Sequence, residues 1–155
     1  MRHGQIPEDL RPLAFDFFFW FSRFEFALKA NRILRNEQIG VRAEPGWTRF
    51  IRTFEHDYKV SDLGKKLVEA NPRRQMVGDQ ELVFDDVPFD ADTTDLERVV
   101  KLAQTVRNNL FHGGKSGFDG WDDPKRMRLL LELTLPIMDE LADLGGFTSD
   151  YRGEY

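Results

Sequence analysis

Between residues 15 and 26 the chain reads FDFFFWFSRFEF, and this stretch narrows the choice of fold more than any other. Phe15, Phe17, Phe18, Phe19, Trp20 and Phe21 are crowded into two helical turns. At about 100° per residue they cover nearly every azimuth of a helix, and a helix that is apolar all round belongs inside a protein. The expectation is a central helix wrapped by the others, with its rings in the core. A base-stacking role would require exposed rings. Pro7, Glu8 and Asp9 suit the start of this helix, with a proline and acidic first turn at its positive end; it should run to about Arg35. In such surroundings Ser22, Arg23 and Glu25 stand out, because a buried carboxylate or guanidinium is costly unless paired. Arg23 or Lys29 could partner Glu25 along one helix face.

The remaining segments also read as helices joined by connectors. After a Pro-Gly turn at Pro45 and Gly46, Trp47, Phe50, Ile51, Phe54 and Tyr58 recur at helical spacing. A short helix follows, capped by Ser61 and ended by Asn71 and Pro72. Residues 73–95, rich in Asp, Gly and Pro, read as a long connection with one apolar turn at Leu82 to Phe84. Thr93 or Thr94 caps the next helix, with Glu97 at capping-box spacing from Thr94. Its inner face is Leu96, Val99, Val100, Leu102, Ala103, Val106 and Leu110, and it should end at Gly113. The last long helix starts near Pro124 and stops at Gly145 and Gly146, with a kink expected at Pro136. No strand pattern or internal repeat competes with this reading. The expected fold class is all-α, an up-and-down bundle of four to five helices.

At 155 residues the chain is long enough for one core and too short for two ordinary domains, so residues 1–155 read as a single domain. With 41% apolar residues it has the material for a packed interior and does not have the composition of a disordered chain. It contains no cysteine, which removes disulfides, thiolate metal sites and a cysteine nucleophile, and suits a reducing cytoplasm. Three well-separated histidines give no metal-ligand spacing, so neither metal nor cofactor is expected. The N-terminus MRHGQIPEDL has no apolar signal core, and the run FFFWF falls far short of the ~20 residues of a membrane span. A cytoplasmic protein with no membrane partner is expected.

A net charge of −5 opposes indiscriminate coating of nucleic acid, which is driven by phosphate neutralisation. The average hides a local reversal. From Arg98 to Phe118 the chain has Arg98, Lys101, Arg107 and Lys115 and no acidic residue. Inside that window lies VRNNLFHGGK, residues 106–115, where a helix that has packed its valines and leucines inward finishes on polar groups. Arg107 and His112 would not share a face of an ideal helix, but a loosened last turn before Gly113 lets them converge. The glycines leave room for close approach of a ligand. A guanidinium that keeps its charge, an imidazole that exchanges protons near neutrality, and two amides together suit a phosphodiester. The plainer alternative is a helix end whose cations complement its dipole.

Arg107, Asn108 and His112, an R-N-x-x-x-H pattern at the end of the third long helix of a helical domain, resemble the signature of the HEPN superfamily. The FSRFEFALK stretch at Phe21 to Lys29 is also similar to the first helix of stand-alone, plasmid-type members, in which a polar residue faces the site. The resemblance implies a metal-independent endoribonuclease that leaves a 2′,3′-cyclic phosphate and works as a homodimer. It would act in a defence or toxin-antitoxin setting, with RNA as substrate and an antitoxin protein as partner. On that implication Arg107 holds the scissile phosphate and His112 moves the proton, while Asn108 orients phosphate or partner. Lys115, Lys101 and Gly113 contact substrate, and Glu25 supports the site. The alternative is a non-catalytic dimeric interaction or nucleotide-binding module of the same fold. Arg49 and His56 match the looser pattern of an arginine and a histidine separated by four to six residues and serve as a control: Arg49 is followed by Phe50, and His56 is expected mid-helix without a glycine exit, as ordinary surface.

Overall fold

The computed structural model describes residues 6–112 and 123–154, with the backbone alone at His112. In chain order the elements are α1 (Leu10–Ala30), α2 (Trp47–Phe54), α3 (Asp62–Ala70), β1 (Arg74–Val77), β2 (Leu82–Asp85), α4 (Asp95–His112), α5 (Pro124–Gly145) and α6 (Thr148–Arg152). The protein is therefore mostly helical, with six helices and one small sheet among the described residues. None of these helices is long and apolar enough to cross a membrane.

Local chemistry accounts for most of the helix boundaries. The Ser61 hydroxyl accepts from the Gly64 amide at 3.0 Å and opens α3, while Asn71 takes the left-handed conformation that closes it, at φ 45°. Thr94 accepts from the Glu97 amide at 3.3 Å at the start of α4. Asp123 caps α5 through the Lys125 amide at 2.9 Å, Pro124 occupies the first turn, and Gly146 ends the helix at φ 72°. Between its caps α5 runs through Pro136 as one helix.

Four expectations are corrected. The first helix begins at Leu10, not Pro7, and stops at Ala30, five residues before Arg35. Its end is set by Asn31, whose side-chain amide donates to the Ala27 carbonyl (2.9 Å) and to the Asp150 carboxylate (2.8 Å), and by Arg32 at φ 61°. The second helix stops at Phe54 instead of reaching Tyr58. Gly46, just before it, is obligatory, because a Cβ there would lie 2.6 Å from the Leu34 carbonyl. Inside the expected connection is an antiparallel hairpin with register Arg74↔Asp85 through Val77↔Leu82, closed by the Gly78 amide on the Glu81 carbonyl at 2.8 Å. Finally a sixth helix follows the two glycines, its Tyr151 and the preceding Phe147 buried.

The larger correction concerns the centre of the molecule. The central element is α5, which packs against each of the five other helices. Leu130, Leu131, Ile137, Met138, Leu141 and Ala142 are buried along it. α1 lies against α5 and α6 on one side only: Phe17, Phe21, Phe24, Ala27 and Leu28 are buried, whereas Phe15, Phe18, Phe19 and Phe26 are exposed. The helix rich in phenylalanine is thus not wrapped.

Candidate functional site

The candidate site is built on the C-terminal turns of α4. Leu96, Val99, Val100, Leu102, Ala103 and Val106 bury one face of this helix, which fixes the directions of the residues that follow. Asn109 continues the inward side: it is buried and donates from Nδ2 to the Arg73 carbonyl at 2.6 Å, tying α4 to the strand entering the hairpin. Arg107 and Phe111 stand one turn apart on a partly open flank, and the helix backbone ends at His112.

Arg107 is held by aromatic rings. Its guanidinium carbon lies 5.0 Å from the centre of the Phe111 ring and 5.8 Å from that of Phe21 on α1. These are cation–π distances, which orient a guanidinium without neutralising it. Its Nη1 donates to Asn108 Oδ1 at 3.1 Å, so the first two residues of the R-N-x-x-x-H pattern are in contact. Among the described residues no carboxylate lies within ion-pair distance of Arg107. The arrangement is an oriented cation beside a side-chain amide, uncompensated among the described residues and suited to an anion arriving from solvent.

The other expected site residues are placed less tightly. The backbone of His112 closes α4, and its side chain lies outside the described residues, as do Gly113 and Lys115. Lys101 is paired with Glu97 at 2.6 Å and sits six residues before Arg107, on a different side of the helix. Glu25 accepts from Trp47 Nε1 at 3.3 Å, and the Phe21 ring, 5.3 Å from Trp47, stands between this pair and Arg107. Neither Arg23 nor Lys29 is Glu25's partner. Arg23 instead donates to the carbonyls of Tyr151 and Asp150, fastening α6 to α1.

The control pair differs. Arg49 is neutralised by Glu37 at 2.8 Å. His56 is exposed and lies in the turn after α2, not mid-helix as expected. Arg49 borders a groove of about 820 Å³ lined by Arg35, Asn36, Glu37, Trp47 and Arg52, to which Arg107 does not contribute.

Sequence reasoning missed the rings. Phe111 follows Arg107 by four residues, the spacing at which helical side chains meet, and its ring lies 5.2 Å from that of Phe18. That spacing was a usable signal. Among the described residues no three histidine, aspartate or glutamate side chains gather as a metal site would require. In comparisons with family models, curated proteins and solved structures, nothing matches this chain.

Proposed function

We propose that the chain is a metal-independent endoribonuclease of the HEPN type, acting as a homodimer on RNA in a defence or toxin-antitoxin setting, with an antitoxin protein as its regulator. The observation that supports this reading best is the state of Arg107: oriented by Phe111 and Phe21, in contact with Asn108, and without a carboxylate partner among the described residues. A guanidinium held in this way near a helix end fits a phosphodiester better than it fits a structural ion pair.

In the proposed reaction the RNA 2′-oxygen attacks the adjacent phosphorus, forming the P–O2′ bond as the P–O5′ bond breaks. The 2′-hydroxyl proton passes to one His112 imidazole, and the leaving 5′-oxygen receives a proton from the His112 of the second copy. Two histidines divide the roles of base and acid, which a single one cannot fill in the same step. Arg107 balances the charge that builds on the non-bridging oxygens. The products are a 2′,3′-cyclic phosphate and a 5′-hydroxyl.

Cleavage of a mixed-sequence RNA in EDTA, with both new ends mapped, tests the reading. Cyclic phosphate ends are expected, and Arg107→Ala and His112→Ala should each abolish them while leaving the helical circular dichroism spectrum intact. Undiminished cleavage in either variant would overturn the mechanism. No cleavage by the native chain would favour a non-catalytic interaction or nucleotide-binding module, the class to which the net charge of −5 is better suited.

A further inference from the structure

The outer face of α1 is a row of phenylalanines in water. Phe15 is 64% exposed, Phe18 46%, Phe19 43% and Phe26 40%, and Phe111 of α4 extends the patch beside Phe18. Taking roughly 200 Å² for a whole ring, these five expose on the order of 400–500 Å² of apolar surface. That is as large as the biggest patch of an ordinary monomer. It also matches the apolar share of one side of a standard protein interface, which buries about 800 Å² per partner with somewhat over half of it non-polar.

The pattern of the face suits one kind of occupant. Phe15, Phe19, Ser22 and Phe26 follow one another at spacings of four, three and four residues, the seam of one helix packing along another. Ser22 is the small residue in that seam. Its hydroxyl is already satisfied by the Phe19 carbonyl at 2.7 Å, so it offers a short side chain with no outstanding polar demand. We infer that this seam docks a second copy of the same chain with the two α1 helices antiparallel, about a twofold axis at the level of Trp20 and Phe21. Phe15 then stacks on the partner's Phe26, and Phe19 fills the space over the partner's Ser22. A parallel pairing would instead set Ser22 against Ser22 and leave a void.

Charge agrees with the antiparallel arrangement. Asp16 and Arg23 lie on the same flank of the seam, and neither has a carboxylate or cation partner among the described residues. Arg23 gives Nε and Nη2 to the Tyr151 and Asp150 carbonyls, so the pairing falls to its Nη1 edge. The twofold brings Asp16 within about 3 Å, measured along the axis, of the level of the partner's Arg23, and does so twice. Because this operation keeps each flank on its own side, the two α4 ends, which adjoin Phe18, face a single groove. The inference gives the dimer of the proposed function its surface and rests on that reading for the groove's purpose.

The test is made on the full chain. Light scattering should give twice the 18.1 kDa chain mass, and Phe19→Glu should return it to one chain mass with an unchanged helical spectrum. The dissociation constant should rise on the order of 100-fold or more, because a carboxylate would be buried without a partner. The chain has no cysteine, so single cysteines report orientation without background. An equimolar mixture of Phe15→Cys and Phe26→Cys chains should yield the mixed disulfide on mild oxidation. A monomeric native chain, including one whose rings capture RNA or lipid instead, would overturn the inference. So would a dimer indifferent to Phe19→Glu, or cross-links confined to like variants. Cleavage is read separately: a dimer of this form that cuts no RNA sinks the enzyme and keeps the interface, whereas an active chain dimerised elsewhere does the reverse.

Discussion

Phe24 and Phe26 stand two residues apart on α1, yet the first is entirely buried and the second is 40% exposed. Phe24 is the hub of the inner face: the rings of Trp47, Phe50 and Phe147 lie 5.1, 5.5 and 5.9 Å from it, drawn from α2 and the turn before α6. Phe26 has the Arg23 guanidinium 4.8 Å from its centre and, among the described residues, no paired ring. The same residue type, on the same helix, is placed by azimuth into two different jobs. One row holds the protomer together, and the other is left for whatever docks on it. What decides between them is how much covering structure the rest of the chain can supply. α5 and α6 cover one side of α1, and Trp47 and Phe50 of α2 reach its Phe24. Among the described residues the elements left over, a hairpin of four-residue strands, α3, and α4 touching Phe18 through Phe111, leave Phe15, Phe19 and Phe26 exposed on the other side.

The largest effect expected from this contrast is on the inner row. Phe24→Ala removes a ring with no solvent exposure from the centre of an aromatic cluster. It should lower the unfolding free energy by about 3–5 kcal/mol in chemical denaturation, since the cavity adds to the lost transfer energy. A loss below about 1 kcal/mol would mean that the inner face is loosely packed and that the two rows differ only in degree.

Alkaline pH separates the faces by a second route, with a smaller effect. The outer rings have no titrating atom, whereas the inner packing includes Tyr58, whose phenol is pushed up from 10.0 to about 12, mainly by burial and further by Glu140 and Asp95. The folded chain therefore keeps a proton that the unfolded chain has already released. The resulting stability is complete below pH about 10 and is lost as pH rises through about 12. Tyr58→Phe should flatten that loss by on the order of 1–2 kcal/mol, a discounted figure because the ring is only half-buried. At pH 7 the variant should be nearly neutral, because the hydroxyl has no hydrogen-bond partner among the described residues. Tyr151, also raised by burial, remains in both proteins, so the difference between them reports Tyr58. Parallel pH curves would remove the effect.

The same contrast marks where sequence reasoning stops. Caps were legible because their chemistry is local: Ser61, Asn71, Thr94, Pro124 and Gly146 each set a boundary through atoms within four residues. The hairpin was not, because its strands are four residues long, mostly exposed, and without a clean alternation of apolar and polar positions. α6 was missed because five residues after two glycines have no periodicity to read; it is placed by Arg23 and by burial of Tyr151. At the site Arg107 and Asn108 were legible as a pair. Of the rings that orient Arg107, Phe21 was read as interior and is buried, whereas Phe111 was given no role. The rings misread as interior are Phe15, Phe18, Phe19 and Phe26, since a helical wheel with aromatic residues at nearly every azimuth says nothing about which azimuths the chain has material to cover. Burial of a helix face is a property of its neighbours.

The smallest expected effect is the most exacting test of that statement. Phe15 is the most exposed ring of the outer row, so in the separated protomer Phe15→Ala deletes few contacts. Alanine is also the better helix former by a few tenths of a kcal/mol. Measured by denaturation at a concentration low enough to keep the chains apart, the variant should lie within about 0.5 kcal/mol of the native protein, on the stabilising side if on either. The same substitution should weaken association at high concentration, where Phe15 is inferred to meet the partner's Phe26. A stability loss of 1 kcal/mol or more in the separated protomer would mean that Phe15 is covered within its own chain. The outer row would then belong to the core, and the distinction between Phe24 and Phe26 would no longer be one between folding and association.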